Sequence, residues 1–264
     1  MEKQFIFNSN KISYFDIGKG NIVVLLHGYL ETKEVWSSFA ETLSKNFRVI
    51  ALDVPGHGKS DVVAETHTMQ LMAQCVNSLL THLKIETCTL VGHSMGGYVM
   101  LSFVDLYPEK VERFVLFHSS VYADTDEKKK NRLREIEFIE NGKLELIVNT
   151  NLPNTFATDN LEKFSNEIND LKRHAKKHDP KGVCAILRGM MERTDRQEMV
   201  KKFAKPMLFI FGKKDNYISI EVGQKMAQLS SRICTQWLEN SGHMGFVEEQ
   251  ELSGQIIKDF VTKP

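Results

Sequence analysis

The feature that most constrains the fold is residues 90–97, LVGHSMGG, where an apolar run meets a helix-like segment through a G-x-S-x-G pattern. A strand that turns directly into a helix at a serine leaves the hydroxyl on a tight, exposed turn. Gly92 and Gly96 occupy the positions where a side chain would collide with the neighbouring strand or helix. Met95 begins the predicted helix, so its backbone N–H points toward whatever Ser94 attacks. The pattern therefore predicts a strand–turn–helix unit that presents a nucleophilic serine.

Strand-like and helix-like segments alternate around this unit. Residues 22–26 and 47–52 are continuous apolar runs, which are typical of strands buried on both faces. Helical periodicity follows from about residue 32 and again over residues 71–83. Two short alternating segments near the N-terminus predict a hairpin. This order predicts parallel βαβ units with helices on both faces of one sheet.

The alternation of strands and helices stops at Ser119. From there to Lys205 the chain shows only helical patterns, and strand signals return directly afterwards. We expect residues 119–205 to be a helical insertion over the ends of the strands, with residues 1–118 and 206–264 forming the core. A second independent domain fits less well, because the segment is short and both of its ends return to the same sheet.

The charge balance and the N-terminus limit the partners of the protein. The 264 residues include 34 Lys+Arg and 34 Asp+Glu, so no net field favours nucleic acid or an anionic membrane. The first seven residues alternate polar and apolar and lack the apolar core of a signal peptide, and no window has the apolar length of a membrane span. We therefore expect a cytoplasmic protein that acts on a small molecule, with no nucleic-acid partner and no membrane insertion.

The cysteines and histidines give no sign of a metal site. The four cysteines are scattered without a C-x-x-C pair, and we expect them to be small buried residues with free thiols: Cys75, Cys88, Cys184 and Cys234. No cluster of potential ligands has metal-binding spacing. The sequence therefore predicts neither a metal nor another cofactor.

Ser94 needs an adjacent base, because a serine hydroxyl is a poor nucleophile at neutral pH. A neutral imidazole suits that task, and a buried carboxylate fixes its tautomer and stabilises the imidazolium. On turns of this kind the acid and then the histidine follow the serine along the chain. Asp215 ends a strand–G-x-x-D segment and His243 lies in a loop before the final helix, so we predict them as acid and base. Asp124 and Asp126, after the sixth strand, remain as alternative acids.

Two backbone donors are expected to stabilise the oxyanion of the tetrahedral intermediate. Met95 N–H is the first. Tyr29 N–H, in the loop that follows the strand at residues 22–26, is the second, and Leu30 is its alternative.

These segments resemble the α/β-hydrolase superfamily over nearly the whole chain. The loop that begins at His27, the Ser94 turn, Asp215 and His243 occur in the family's order, and residues 53–60, DVPGHGKS, match its D-x-P-G-x-G-x-S loop. The resemblance implies a mostly parallel eight-stranded sheet with helices on both faces and a helical cap inserted after the sixth strand. A serine nucleophile argues against haloalkane dehalogenases and epoxide hydrolases, which use an aspartate within this fold.

The resemblance and the site residues together imply a serine hydrolase that cleaves a small or medium carboxylic ester or thioester through an acyl-enzyme on Ser94. Two alternatives remain open: carbon–carbon bond hydrolysis or a lyase step on the same triad, and a hydrolase-fold receptor that binds its ligand without turnover. For the substrate pocket we name His118, at the end of a strand, and Arg188 and Met190 in the insertion. A structural salt bridge is the simpler role for Arg188.

The remaining histidines are expected in structural places. His27 and His57 lie in glycine turns and are expected to tie loops together by hydrogen bonds. His93 is expected to face the scaffold. His174 and His178 are expected on the solvated face of a helix in the insertion.

Overall fold

Eight strands form a single sheet in the computed structural model, which describes residues 2–263. The strands are β1 (Glu2–Phe7), β2 (Asn10–Gly18), β3 (Ile22–Leu26), β4 (Arg48–Leu52), β5 (Cys88–His93), β6 (Val111–Phe117), β7 (Met207–Gly212) and β8 (Ile233–Leu238). Their order across the sheet is β1-β2-β4-β3-β5-β6-β7-β8. β1 with β2 and β2 with β4 pair antiparallel, and every other neighbouring pair is parallel. This confirms the mostly parallel eight-stranded sheet predicted from the sequence.

The N-terminal hairpin is set by its turn. Phe7 pairs with Asn10, so only two residues connect β1 to β2. These two, Asn8 and Ser9, have φ values of 49° and 64°. Positive φ at both positions gives a turn whose twist matches that of the flanking strands. The hairpin therefore continues the sheet beyond β4 with antiparallel pairing.

Helices cover the sheet on both faces, because the crossovers from β3 to β4 and from β4 to β5 run in opposite directions across the sheet, and right-handed crossovers then place their helices on opposite faces. The α-helices in residues 2–263 are α1 (Ser37–Ser44), α2 (Met69–His82), α3 (Met95–Leu106), α4 (Asp126–Glu140), α5 (Leu144–Asn151), α6 (Ser165–Ala175), α7 (Pro180–Glu192), α8 (Gln197–Lys202), α9 (Ile220–Ala227), α10 (Gly245–Glu248) and α11 (Gln250–Thr262). Short 3₁₀ turns span Lys33–Trp36, Pro108–Lys110, Pro153–Thr155 and Thr158–Asn160.

Residues 119–205, which we call the helical insertion, contain α4 to α8 and no strand. The insertion meets loops of the core through its backbone. His67 N–H donates to the carbonyl of Ala185 at 2.9 Å, and Gly182 packs directly against the backbone of Gly56. The loop that contains Gly56 follows the carboxyl end of β4, so the insertion lies at the end of the sheet where active sites of open α/β folds form.

The core is built from the apolar strands and the inward faces of the helices, and three of the four cysteines belong to it. Cys75, Cys88 and Cys184 are buried, as expected, but Cys234 is exposed. The expectation of a buried thiol is wrong there, because Cys234 lies on the edge strand β8 and most side chains of that strand keep contact with solvent. Among residues 2–263, no helix is long and apolar enough to cross a membrane.

Candidate active site

Ser94 lies at the junction of β5 and α3 with a left-handed backbone. Its φ is 50°, which residues other than glycine rarely adopt. The turn is held on both sides, because Ser94 N–H donates to the carbonyl of Phe117 at 3.0 Å and Ser119 Oγ donates to the carbonyl of Ser94 at 2.6 Å. The Ser94 residue stays partly exposed. The turn has the strained strand-to-helix geometry that the sequence pattern predicts.

Gly92 and Gly96 leave room for α3 to pass close to the sheet. A Cβ on Gly96 would lie 2.2 Å from the carbonyl oxygen of Leu26, and a Cβ on Gly92 would lie 2.7 Å from the carbonyl oxygen of Gly96. These neighbours are backbone atoms and cannot swing aside as a flexible side chain can. Both positions therefore require glycine, for the steric reason inferred from the sequence.

Asp215 and His243 meet beyond the carboxyl ends of β7 and β8. Nδ1 of His243 lies 2.8 Å from Oδ2 of Asp215. The other carboxylate oxygen, Oδ1, accepts the N–H groups of Tyr217 at 2.7 Å and Ile218 at 3.1 Å. Burial by itself raises the pKa of Asp215, but the charge of His243 and the histidine hydrogen bonds outweigh it and hold that pKa below its ordinary range. Asp215 is therefore an anionic acceptor that fixes the proton of His243 on Nδ1.

Backbone contacts hold His243 beside the Ser94 turn. His243 N–H donates to the carbonyl of Thr155 at 2.7 Å, and Nε2 of His93 lies 2.8 Å from the carbonyl of His243. His93 immediately precedes Ser94, and its ring centroid is 5.1 Å from that of His243. Within residues 2–263 no hydrogen bond joins Ser94 Oγ to His243 Nε2. Catalytic hydrogen bonds of this kind often tighten only when substrate binds.

Glu31 extends this arrangement, although no sequence motif points to it. Its Oε2 accepts the N–H of Gly28 at 2.7 Å and lies 3.2 Å from Nδ1 of His93. Burial lowers the pKa of His93, but the Glu31 carboxylate outweighs burial and raises that pKa above its ordinary value. His93 faces the scaffold, as expected. The signal that could have revealed Glu31 is a carboxylate directly after the apolar HGYL loop, where an unpaired charge would be costly.

Two N–H groups in the loop that follows β3, those of Tyr29 and Leu30, are the candidates for the second oxyanion donor, and their hydrogen bonds differ. Leu30 has a φ of 63°, and its N–H donates to Nε2 of His57 at 3.1 Å. Tyr29 N–H has no hydrogen-bond acceptor within residues 2–263, and Met95 N–H, at the first position of α3, has no intrahelical one. The geometry favours Tyr29 over Leu30, because the Leu30 donor is already engaged.

Asp53 holds the glycine-rich loop at residues 53–60 in place through hydrogen bonds. Its carboxylate accepts the N–H of Lys33 at 2.7 Å, Nζ of Lys33 at 2.9 Å and the N–H of Lys59 at 3.0 Å. Both side chains of the Lys33–Asp53 ion pair are buried. The residues of the D-x-P-G-x-G-x-S motif are therefore structural, and they fix the loop against the helical turn that follows β3.

Three stacked rings, His27, His57 and His178, form what we call the imidazole stack. The ring centroids of His27 and His57 are 5.8 Å apart, and those of His57 and His178 are 4.4 Å apart. His27 accepts from Val54 N–H, so both glycine-turn histidines tie loops together, as expected. The expectation for His178 is wrong: it is buried, and its Nδ1 accepts the N–H of Gly58 at 3.1 Å. The local charge pattern around His178 carries no information about a partner so distant in sequence.

The alternative acids are engaged elsewhere. Asp124 pairs with Arg193 at 2.6 Å and with Arg132, and its side chain is buried. The guanidinium of Arg193 also lies 3.9 Å from the ring centroid of Tyr98. Asp126 is the first residue of α4. Asp215 is the carboxylate that the structure brings to His243.

The three residues named for the substrate pocket lie in different places. His118 has no exposed surface, and its ring lies behind Asp215, so it is not a lining residue. Arg188 pairs with Glu140 at 2.8 Å in a groove of about 1020 Å³ whose lining includes neither Ser94 nor His243. Met190 is buried in the core, inside the insertion. The sequence pattern alone did not separate core positions from pocket positions in α7.

One cluster of residues has the composition of a metal site. Nitrogen atoms of His118 and His243 and an oxygen of Asp215 lie within 4.8 Å of one another. The contacts from His118 and His243 to Oδ2 of Asp215 are 3.1 Å and 2.8 Å, which are hydrogen-bond lengths. Nε2 of His118 also accepts the N–H of Gly245. Hydrogen bonding accounts for the whole cluster.

The chain belongs to the alpha/beta hydrolase fold family, whose model matches residues 21–250. It is similar to the (E)-2-((N-methylformamido)methylene)succinate hydrolase of Acinetobacter baylyi, with 29% identity over 160 residues. It is also similar to the 2-hydroxy-6-oxononadienedioate/2-hydroxy-6-oxononatrienedioate hydrolase of Paraburkholderia phymatum, with 26% identity over 95% of this chain and 91% of the relative.

Coverage differs among these proteins. The match to the Acinetobacter enzyme spans 61% of this chain and 60% of that protein's length. Uncharacterized mycobacterial proteins are 36% identical over 99 residues, and the match spans 29% of their length. Among solved structures, a thermophilic esterase from Thermogutta terrifontis, with malate bound, superposes with a TM-score of 0.92 at 27% identity, over 96% of this chain and 93% of that one.

Proposed function

We propose that the protein is a serine hydrolase that cleaves a small or medium carboxylic ester or thioester. Ser94 is the nucleophile, His243 the general base and Asp215 the residue that orients it. The observation that carries the proposal is the 2.8 Å contact between His243 Nδ1 and Asp215 Oδ2, in a loop whose carbonyl is bound by the neighbour of Ser94. Along the chain, the nucleophile, the orienting acid and the base follow one another in the order expected for this fold.

The proposed reaction has two acyl-transfer steps. His243 Nε2 accepts the Oγ proton as Ser94 attacks the acyl carbon, and the resulting oxyanion is bound by the N–H groups of Met95 and Tyr29. Collapse of this intermediate expels the alcohol or thiol, which takes the proton from His243. Water then attacks the acyl-enzyme with His243 again as base, releasing the carboxylic acid and restoring Ser94.

Carbon–carbon bond hydrolysis by the same residues is the second candidate. The similarity to the Paraburkholderia hydrolase over 95% of this chain favours it. The substrate in that enzyme's name has a ketone and two carboxylates but no ester, so its hydrolysis breaks a carbon–carbon bond. A dicarboxylate calls for a cation that is not already paired. Arg188 pairs with Glu140, whereas Arg132 and Arg193 share the single carboxylate of Asp124, so the pairing of these arginines does not exclude a dicarboxylate substrate.

The proposal is tested first with Ser94→Ala. We expect this variant to lose at least about 10³-fold in kcat on p-nitrophenyl butyrate, and to lose labelling by a fluorophosphonate probe, because it removes the hydroxyl that the proposed mechanism uses as nucleophile. Ser44→Ala, at a partly exposed serine at the end of α1, is the matched control and should keep both. Labelling that persists in Ser94→Ala would show that the nucleophile is assigned to the wrong residue.

A substrate screen separates the candidates. Multiple turnover across acyl chain lengths and thioesters supports the proposal. Ser94-dependent cleavage of β-diketones without ester turnover selects the carbon–carbon bond candidate instead. A single slow turnover with tightly retained product indicates a ligand receptor.

A further inference from the structure

His118 occupies an unusual position for a large polar side chain. It follows β6 directly, has a φ of 46° and has no exposed surface. Its ring fills the space between two loops: a Cβ on Gly245 would lie 2.4 Å from Nε2 of His118, and a Cβ on Gly212 would lie 3.0 Å from its Cε1. One of these loops leads to Asp215 and the other follows His243. His118 therefore contacts both the acid of the proposed triad and the loop that follows the base.

The contacts of His118 define its tautomer. Gly245 N–H donates to Nε2 at 3.2 Å, so Nε2 must carry the lone pair and the proton must lie on Nδ1. Nδ1 lies 3.1 Å from Oδ2 of Asp215, which accepts a hydrogen bond from this N–H. The N–H of Gly212, also 3.2 Å from Nδ1, is the weaker competitor, because a bond to a carboxylate is charge-assisted. Burial lowers the pKa of His118 to about 4, so the ring is neutral at neutral pH.

Asp215 is thereby saturated with donors. Oδ1 accepts two backbone N–H groups, and Oδ2 is shared between Nδ1–H of His118 and Nδ1–H of His243. The hydrogen bond from His118 fixes Oδ2 of Asp215 in place. It also takes up part of the negative charge of Oδ2, which weakens the second hydrogen bond, from His243. Both the position and the basicity of the acid therefore depend on His118.

We propose that His118 is a positioning residue that orients Asp215 toward His243 and limits how strongly Asp215 stabilises the protonated form of His243. This inference rests on the proposed function of Ser94, Asp215 and His243. His118 acts only through Asp215 and the Gly245 loop and does not contact substrate. Other ionisable or charged groups that face His243 are Tyr217, His93 and, through His93, Glu31.

Three variants separate the two hydrogen bonds of His118. His118→Asn places an amide donor where Nδ1 stands and keeps the bond to Asp215. His118→Gln reaches the place of Nε2 and keeps only the Gly245 contact. His118→Leu matches Asn in shape and has no donor. We expect the Leu and Gln variants to lose about 10- to 100-fold in kcat with KM nearly unchanged, and the Asn variant to stay close to wild type.

The pH profile of kcat/KM distinguishes a positioning role from a packing role, because a loss of packing alone does not shift the profile along the pH axis. In the Leu and Gln variants the acid limb should shift upward by about 0.5 to 1 pH unit, because Oδ2 of Asp215 then serves His243 alone. The Asn variant should keep the wild-type limb. Wild-type behaviour in all three variants, rescue by Gln but not by Asn, or equal impairment of all three would each overturn the proposal.

The test also works without catalysis. In protein that carries Ser94→Ala, the NMR titration of the His243 ring should shift upward when His118→Leu is added. Absence of Ser94-dependent turnover in the wild type would end the proposed function, whereas the NMR shift still decides the role of His118. If His118→Leu does not fold with its positive φ, the comparison of Asn with Gln decides the question, because Asn tolerates that backbone.

Discussion

At the scale of single residues, two carboxylates are the candidates for the acid, and their partners separate them. Asp215 accepts a hydrogen bond from His243, while Asp124 forms ion pairs with both Arg132 and Arg193. Burial raises the pKa of Asp124, but the hydrogen bond from Arg132 and the neighbouring charges bring it below its ordinary value. Each carboxylate is therefore ionised, one beside the proposed base and one within a structural ion pair of the insertion.

Exchanging each acid for its amide should affect different properties. Asp215→Asn is expected to lower kcat by about 10⁴-fold with little change in fold, because the amide favours the wrong tautomer of His243. Asp124→Asn is expected to keep kcat within about 10-fold and to lose about 3 kcal/mol of unfolding free energy, since it leaves two arginines without their carboxylate. Steady-state kinetics and urea unfolding of both variants give the comparison. A collapse of kcat in Asp124→Asn alone would reverse the assignment.

The site residues that the sequence predicts are those marked by a short motif next to a strand or helix. Ser94 directly follows β5, Asp215 lies in the turn after β7, and His243 lies in a short loop before the last helices, so their motifs locate them. Glu31 and His118 act through contacts with residues far away in the chain, and no local spacing encodes those contacts. His118 illustrates the difference: its place at the end of β6 suggested a pocket, but its ring turns toward Asp215.

At the scale of elements, the passage of α3 over the sheet depends on small residues. Gly96 faces the carbonyl of Leu26 in β3, so α3 packs against backbone there and no side chain can relax to relieve a clash. Gly254, inside α11, is the opposite case, because a Cβ on it would meet Phe39 at an ordinary distance of 3.7 Å. Two helical glycines in one chain thus have opposite tolerance for a methyl group.

Alanine substitutions should reveal this contrast. Gly96→Ala is expected to destabilise the protein by about 3 kcal/mol or more and to displace the Ser94 turn, with loss of probe labelling. Gly254→Ala is expected to be neutral or to add up to about 1 kcal/mol, because alanine favours the helix interior. Urea unfolding monitored by circular dichroism measures both. Equal unfolding free energies for the two variants would contradict the close approach of α3 to β3.

The elements themselves were largely predictable, because the central strands are largely apolar runs, the first two strands alternate polar and apolar residues, and Asn8-Ser9 encodes the turn between them. The insertion was less readable. Apolar residues spaced by three and four from Leu161 to Ile168 predict one continuous helix, but a 3₁₀ turn at Thr158–Asn160 comes first and α6 begins at Ser165. Apolar residues three and four apart also occur across 3₁₀ turns, so the pattern does not mark where the α-helix begins.

At the scale of the whole molecule, buried histidines make stability depend on pH. Burial lowers the pKa of His67, His118 and His178 to about 4 from an ordinary 6.5. Between these pH values the unfolded chain binds more protons than the folded chain. The unfolding free energy therefore falls as the pH drops from about 6.5 to 4, by about 1.4 kcal/mol per pH unit for each histidine.

Urea unfolding at several pH values checks this expectation. His93 has a raised pKa and acts in the opposite sense, since its contribution is complete below pH 6.5 and is lost as the pH rises above that value. His178→Gln should reduce the slope below pH 6.5 by about 1.4 kcal/mol per pH unit, and the exposed neighbour Lys177→Gln should leave it unchanged. An unfolding free energy that is constant from pH 6.5 to 4 would be incompatible with neutral buried rings.

The imidazole stack also limits how this protein can be re-engineered. His178 belongs to the helical insertion, whereas His57, on which it stacks, holds the Leu30 amide beside the proposed oxyanion donor Tyr29. Exchanging the insertion for that of a relative, the usual route to a new substrate range, would remove the outer ring of this stack. A successful chimera must therefore carry a flat, uncharged ring at position 178 or redesign the glycine loop at residues 56–58 along with the graft.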